Sequence, residues 1–187
     1  MNQQGQWQVA GSAPEVYERE LVPAVFGAWA PILVELAEPR PSERVLDVAC
    51  GTGVVARIAA TRVGPTGTVV GIDLNPGMLS LARSLVSRDS RSGGQLQWQE
   101  ASADKLPFPD GSFNVVYCQL GLQFFADRPA ALREMRRVLG TEGRLAAICV
   151  ELRCGLAVGW SGITGRRCGA RSSNHRRQER LGKIHEQ

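Results

Sequence analysis

Val45-Leu46-Asp47-Val48-Ala49-Cys50-Gly51-Thr52-Gly53 is a short apolar run that ends in small residues and passes directly into an Ala-rich helical stretch, Val54–Arg62. Bounded by charge on one side and glycine on the other, the run reads as a buried strand. Glycine at the crossing from strand to helix lets the backbone approach a ligand closely, while the free N–H groups of the helix's first turn face it. Twenty residues past Gly53, at the end of a second apolar run (Thr68–Ile72), stands Asp73. A carboxylate at that place can accept hydrogen bonds from both hydroxyls of a ribose.

Working outward, the same alternation repeats. Gly64-Pro65-Thr66-Gly67 makes a turn before the second strand, and Pro76–Ser87 makes a second helix. A polar loop, Asp89–Gly94, leads to a short strand, Leu96–Gln99; Phe113–Cys118 gives a fourth strand, Arg128–Leu139 an amphipathic helix and Arg144–Val150 a fifth strand. Strands separated by helices pair in parallel through right-handed crossovers, so the expected fold is α/β, a doubly wound, mainly parallel, Rossmann-like sheet. Ahead of it, Ser12 to Ala37 carries apolar residues at helical spacing broken by Pro14, Pro23 and Pro31, which predicts two or three short helices laid end to end. Beyond Glu151 no hydrophobic period continues, and Arg, Gly and Ser dominate. The expected organisation is a helical segment over 1–41, a ligand-binding domain over 42–150 and a basic, poorly ordered tail over 151–187. The abrupt change at that point suggests a truncated or frame-shifted reading of a longer gene, with strands six and seven missing or irregular. The fifth strand would then be an open edge, available for self-association.

The chain of 187 residues suits one core. No stretch approaches about 18 uninterrupted apolar residues, and the polar start, Met1 to Gly11, has no secretory pattern. A cytoplasmic protein without a membrane span is expected. Five cysteines without C-x-x-C spacing, and two histidines, support neither a disulfide framework nor a metal site. The net charge of +4 sits in the tail, where residues 151–187 hold eight Lys/Arg against three Asp/Glu; the remainder has 14 basic and 15 acidic residues. With no aromatic stacking pattern beside that basic tail, no specific nucleic-acid partner is expected.

Gly51-Thr52-Gly53-Val54-Val55-Ala56 satisfies the loose G-x-G-x-x-G/A pattern, which alone permits an NAD(P)-dependent oxidoreductase. Asp47 argues against it, because a carboxylate at the end of the first strand would repel the pyrophosphate that the loop would have to cradle. S-adenosylmethionine (SAM) has no phosphate; its ammonium and sulfonium are favoured by an acid there. The plainer role for Asp47 is a turn or capping carboxylate.

The stretch VLDVACGTGVVARIAA resembles the first motif of class I SAM-dependent methyltransferases, with Ala49 where many members have a glycine. The resemblance continues through GIDLNPGMLSLAR and through ADKLPFPDGSFNVVYCQLGLQFFADRPAALREMRRVLGTEGRL, which is similar to the methyltransferase type 11 group, including the C-methyltransferases of ubiquinone and menaquinone biosynthesis. YERELVPAVFGAWA is similar to the helical lid of these enzymes. The resemblance implies SAM as cofactor, held by Asp47, Ala49, Cys50, Gly51, Thr52, Gly53, Asp73, Leu74, Met78, Ser102, Ala103, Asp104, Gln119 and Leu120, with Tyr17 and Phe124 on the lid or substrate side. Where the family has an acid for the adenine amino group this chain has Ser102, so that contact falls to Ser102 or to Asp104. The family's Pro-Gly-Gly turn is here Gly140-Thr141-Glu142-Gly143. The implied reaction is methyl transfer to a small-molecule acceptor, for which the sulfonium is already activated, so that positioning dominates. No residue stands out as a catalytic base, since His175 and His185 lie in the tail. A catalytically impaired SAM-binding remnant is the alternative. Phe108, Phe113, Phe124 and Phe125 read most simply as core around the fourth strand, and Arg133, Arg136 and Arg137 as a solvated face.

Overall fold

The run that opens the glycine loop is the central strand of a five-stranded parallel sheet. In the computed structural model of the protein, which describes residues 13–86 and 93–149, the strands are β1 (Arg44–Val48), β2 (Thr68–Asp73), β3 (Gln95–Glu100), β4 (Phe113–Gln119) and β5 (Leu139–Ile148), in the order β3-β2-β1-β4-β5. Every pairing is parallel. The helices are α1 (Ala13–Ala37), α2 (Val54–Val63), α3 (Pro76–Leu85) and α4 (Arg128–Val138). This is the expected doubly wound architecture. The proposed tail, 151–187, lies outside the described residues.

β1 is covered on both faces, which is why Val45, Leu46 and Val48 are all fully buried. Alternate side chains feed two cores. Val45, Val69, Val115 and Tyr117 pack beneath α1 and α2, and Leu46, Val70, Ile72, Val116 and Cys118 pack against Ala131, Met135 and Val138 of α4. The Tyr117 hydroxyl, deep in the first core, donates to the Val34 carbonyl at 3.1 Å and so ties α1 to β4. Asn75 and Asp127 cap α3 and α4 with their side-chain oxygens, each followed by a proline in the first turn.

Four expectations are corrected, the last of them at Phe124 below. The Ser12–Ala37 region does not break into separate short helices. It is one continuous helix whose Tyr17–Phe26 portion is wound as a π-helix, with the Gly27 N–H reaching back five residues to the Val22 carbonyl. The wider winding absorbs Pro23, which has no N–H to offer an ordinary α turn. By length and composition this helix could cross a membrane, a property the residue string hid because Glu18, Arg19, Glu20 and Glu35 interrupt it. In the fold it lies on the sheet, with Ala30, Leu33, Val34 and Ala37 buried. Second, Gly140–Gly143 is no turn before the fifth strand. β5 starts at Leu139, and the four residues form an irregularity between the Phe113–Leu139 and Val115–Arg144 pairs. Third, Arg137 is not on a solvated face. It donates to Glu134, Asp110 and the carbonyls of Leu106 and Phe108, pinning the β3–β4 loop onto α4.

Phe113 is buried and meets Phe108 edge-to-face at 5.0 Å, and Phe125 joins the second core, so three of the four phenylalanines are packing residues. Phe124 departs from that reading, 51% exposed after β4. Cys50 and Cys118 are buried free thiols, and among the described residues no group of acidic, His or Cys side chains is placed to hold a metal. Also among the described residues, the outer edge of β5 has no strand partner.

Candidate functional site

The carboxyl ends of β1, β2, β3 and β4 converge on one edge of the sheet, where ligands bind in open α/β folds. β1 ends in a loop that turns three times through the left-handed region, at Ala49 (φ 56°), Gly51 (φ 55°) and Gly53 (φ 83°). Gly53 carries this strain freely, and it also makes room: a Cβ there would collide with the ring of Trp98. The same ring crosses Gly71, which is paired with Trp98 between β2 and β3. Trp98 therefore supports the loop from behind.

Ala49, at the family's glycine position, pays for its left-handed φ without a glycine's freedom. Its methyl group faces Gly121, where a Cβ would stand only 2.7 Å away. Ala49→Gly is expected to raise stability by roughly 1 kcal/mol. Gly121→Ala is expected to be destabilising alone and less so beside Ala49→Gly, where a 3.2 Å approach to the Cys118 sulfur remains. Thermal melting of the two single variants and the double variant would check this, and equal effects of Gly121→Ala in both backgrounds would contradict it.

Asp73 laces the loop to the end of β2. Its Oδ2 accepts the Gly51 N–H and its Oδ1 the Asn75 N–H, each at 2.9 Å. The Ala101 N–H donates to the Asp73 carbonyl, which brings Ser102, Ala103 and Asp104 to the same edge. There the Ser102 hydroxyl donates to the Asp104 carboxylate, Ala103 is buried and Asp104 is exposed. Met78 is buried in the first turn of α3, and Leu74 is half exposed beside it. Gln119 and Leu120 end β4, both buried; the Gln119 amide donates to the Phe26 carbonyl of α1.

Asp47 lies under the loop and not at its surface. It is 1% exposed and accepts the Ala56 N–H at 3.1 Å, so the helix-capping reading of this residue is correct as far as its contacts go. Burial pushes its carboxyl up to about 8, a shift to which the nearby Asp73 adds and which Arg57 opposes. Asp73 is also raised, chiefly by burial, against the lowering effect of its N–H donors. The Cys50 thiol is raised well above its ordinary value by burial and by both acids, so it is no nucleophile.

Two residues of this region, Arg57 and Trp98, carried no signal in the motif. Arg57 on α2 donates to the Thr52 carbonyl and to Glu18 of α1, and Trp98 supports the loop as described. Tyr17, expected at the lid, does stand over Gly51, with its hydroxyl oxygen 3.3 Å from where a Cβ would lie. Around the same edge, the Thr52 hydroxyl and the side-chain carbonyls of Gln119 and Gln123 are buried without a hydrogen-bond partner, as is one Glu18 oxygen. Such a set of unpartnered oxygens beside the buried Asp47 and the partly buried Asp73 fits a ligand that brings positive charge and N–H or O–H donors, as SAM does.

A family model described as Methyltransferase domain (Methyltransf_11) matches residues 46–147. The chain is 44% identical over 120 residues to the ubiquinone/menaquinone biosynthesis C-methyltransferase UbiE of Ectopseudomonas mendocina, covering 64% of this chain and 46% of that protein. It is 45% identical over 121 residues to UbiE of Xanthomonas oryzae, covering 64% and 47%. The chain thus spans about half the length of the curated relatives it matches. Among solved structures, an S-adenosylmethionine-dependent methyltransferase from Mesorhizobium loti is 26% identical with a TM-score of 0.56, covering 66% of this chain and 54% of that one. A SAM-dependent methyltransferase from Aquifex aeolicus, at 21% identity and a TM-score of 0.62 over 77% of this chain and 78% of that one, shares the fold. The cofactor implied by these matches is S-adenosylmethionine. The chain belongs to the SAM-dependent methyltransferase domain family.

Proposed function

We propose that this chain binds SAM at the carboxyl edge of its sheet and transfers the methyl group to a small-molecule acceptor, with carbon as the acceptor atom, as the name of the UbiE relatives states for them. The observation that carries the reading is Asp73. Two backbone N–H groups fix its carboxylate at the mouth of the left-handed loop, and its remaining lone pairs are available to the two ribose hydroxyls. Met78 and Leu74 would pack on the adenine, and Ser102 with Asp104 would face its amino group as one hydrogen-bonded pair. Ala49, Cys50, Gly51, Thr52 and Gly53 would border the methionyl portion, with Asp47 supplying negative charge from beneath. Ala103 and Leu120 close the apolar sides, and Gln119 would meet the sulfonium end. α1, within the 1–41 segment, serves as the lid on the 42–150 domain, with Tyr17 over the loop and Phe124 at the acceptor's entrance. When bound, the cofactor supplies an already activated methyl group. The protein's part is to hold donor and acceptor in line and keep water out.

Calorimetry with SAM on the wild type and on Asp73→Ala tests the site. The variant is expected to lose about 1–3 kcal/mol of binding free energy, the range for a hydrogen bond to a charged group, and equal affinity would overturn the assignment. NADH in the same instrument tests the oxidoreductase alternative; binding of NADH without SAM would replace the present reading.

A further inference from the structure

Among the described residues the α1 roof carries three ion pairs, and one differs from the others. Arg19–Glu20 lies within α1 and attaches it to nothing, and Glu35–Arg62 has both side chains more than half exposed, so it holds α1 weakly. Glu18–Arg57, at 2.9 Å, has its two side chains only 22% and 25% exposed. Arg57 also reaches the Thr52 carbonyl with its other terminal nitrogen, at 2.5 Å. One guanidinium fork thus grips the glycine loop with one arm and the roof with the other.

The residue before Glu18 is Tyr17, whose ring covers Gly51 and packs on Phe26 at 4.9 Å. Glu18 and Tyr17 are neighbours on the π-wound portion of α1, so the pair that holds Glu18 also holds Tyr17 above the loop. On the far side, the Gln119 amide pins the Phe26 carbonyl, while the Tyr17 end is held by the partly buried Glu18–Arg57 pair.

We propose that Glu18 and Arg57 are positioning residues that latch Tyr17 over the methionyl portion of the cofactor and thereby set how long the cofactor stays bound. The inference rests on the SAM reading of the site. Neither residue takes part in methyl transfer. For the cofactor to leave past Gly51, Tyr17 must move, and the Glu18–Arg57 contact must open with it. Because the pair is sequestered but not sealed from water, added salt should loosen it.

Stopped-flow measurement of SAM dissociation in the full chain, for the wild type, Glu18→Gln and Arg57→Lys, tests this. Glu18→Gln is expected to speed dissociation by about tenfold, with the association rate little changed. Arg57→Lys keeps the charge but loses the fork, and is expected to fall between. Wild-type dissociation should quicken between low and high salt, and that dependence should be absent in Glu18→Gln. A merely structural role would not move the salt dependence. Melting curves identify any variant that is misfolded, and Arg57→Lys then carries the comparison. SAM binding with dissociation in both variants within twofold of wild type overturns the latch alone. Failure of the wild type to bind SAM overturns the reading of the site, and the latch with it.

Discussion

Without a ligand, the protein is expected to lose stability steadily as pH rises from about 4 to about 8, and Asp47→Asn is expected to remove most of that loss. An unfolded chain ionises this carboxyl near its ordinary value of 3.8, whereas in the fold it holds its proton up to about 8. Between those values the unfolded state binds fewer protons than the folded one, so each pH unit favours unfolding by about 1.4 kcal/mol. The sum over the window is on the order of 5 kcal/mol, comparable to the whole stability of many domains. The contribution is fully present below pH 4 and gone above pH 8. Asparagine keeps an oxygen to accept the Ala56 N–H and carries no charge at any pH, so the variant should keep only the smaller decline that the raised Asp73 carboxyl contributes. Urea midpoints at pH 5 and pH 8.5 for both proteins would check it, and a flat wild-type profile would contradict it.

The same linkage runs through the cofactor. A bound sulfonium and ammonium lower the cost of ionising Asp47, so binding below pH 8 should release a proton. Calorimetry in two buffers of different ionisation enthalpy reads that proton directly. SAM affinity should rise with pH up to about 8 in the wild type and level out in Asp47→Asn.

Trp98→Ala is expected to cost about 3 kcal/mol of stability and to weaken SAM binding as well. The indole fills the space left by the absent side chains of both Gly53 and Gly71, and so supports the left-handed turn at Gly53 from the sheet side. Removing it takes away the ring that covers both glycines under the loop. Trp98→Phe should recover part of both losses, since a smaller ring still covers Gly71. Urea unfolding and SAM calorimetry on the two variants measure this. Full stability with full affinity in Trp98→Ala would show that the loop needs no such support.

The strand and helix order was legible because each buried strand is an apolar run of four to six residues closed by glycine or a capping residue, as at Asn75, and because Asp127 marks the start of α4. The cofactor edge was legible because its backbone requirements fall on neighbouring residues: small ones from Ala49 to Gly53, and an acid ending the next strand. Side chains that reach across the fold were not legible. Arg57 lies on an ordinary helix and meets Glu18 only because α1 folds over α2, 39 residues apart in the chain. Arg137 looks like one of three arginines on a polar face, and only the path of the 106–110 loop makes it a clamp. Trp98 had a faint local signal, a large ring on a strand whose partner offers Gly71, but the register that sets them side by side is a property of the sheet. Pro23 misled for a related reason: its missing N–H excludes an α turn, and a wider turn accepts it.

That wider turn also governs where the roof points. Each α-helical residue advances the chain by about 100° around the axis, and the π-wound portion advances by less. Tyr17 therefore reaches Gly51 only at the azimuth that this slower rotation produces, measured from the Leu33 and Val34 face fixed on the sheet. Deleting one residue between Tyr17 and Phe26 would leave the apolar face in place while changing the azimuth of the tyrosine relative to it, and so turn the ring off the loop. The residue count of this segment is thus a phase setting, and the identity of any one side chain within it is secondary to the number of them.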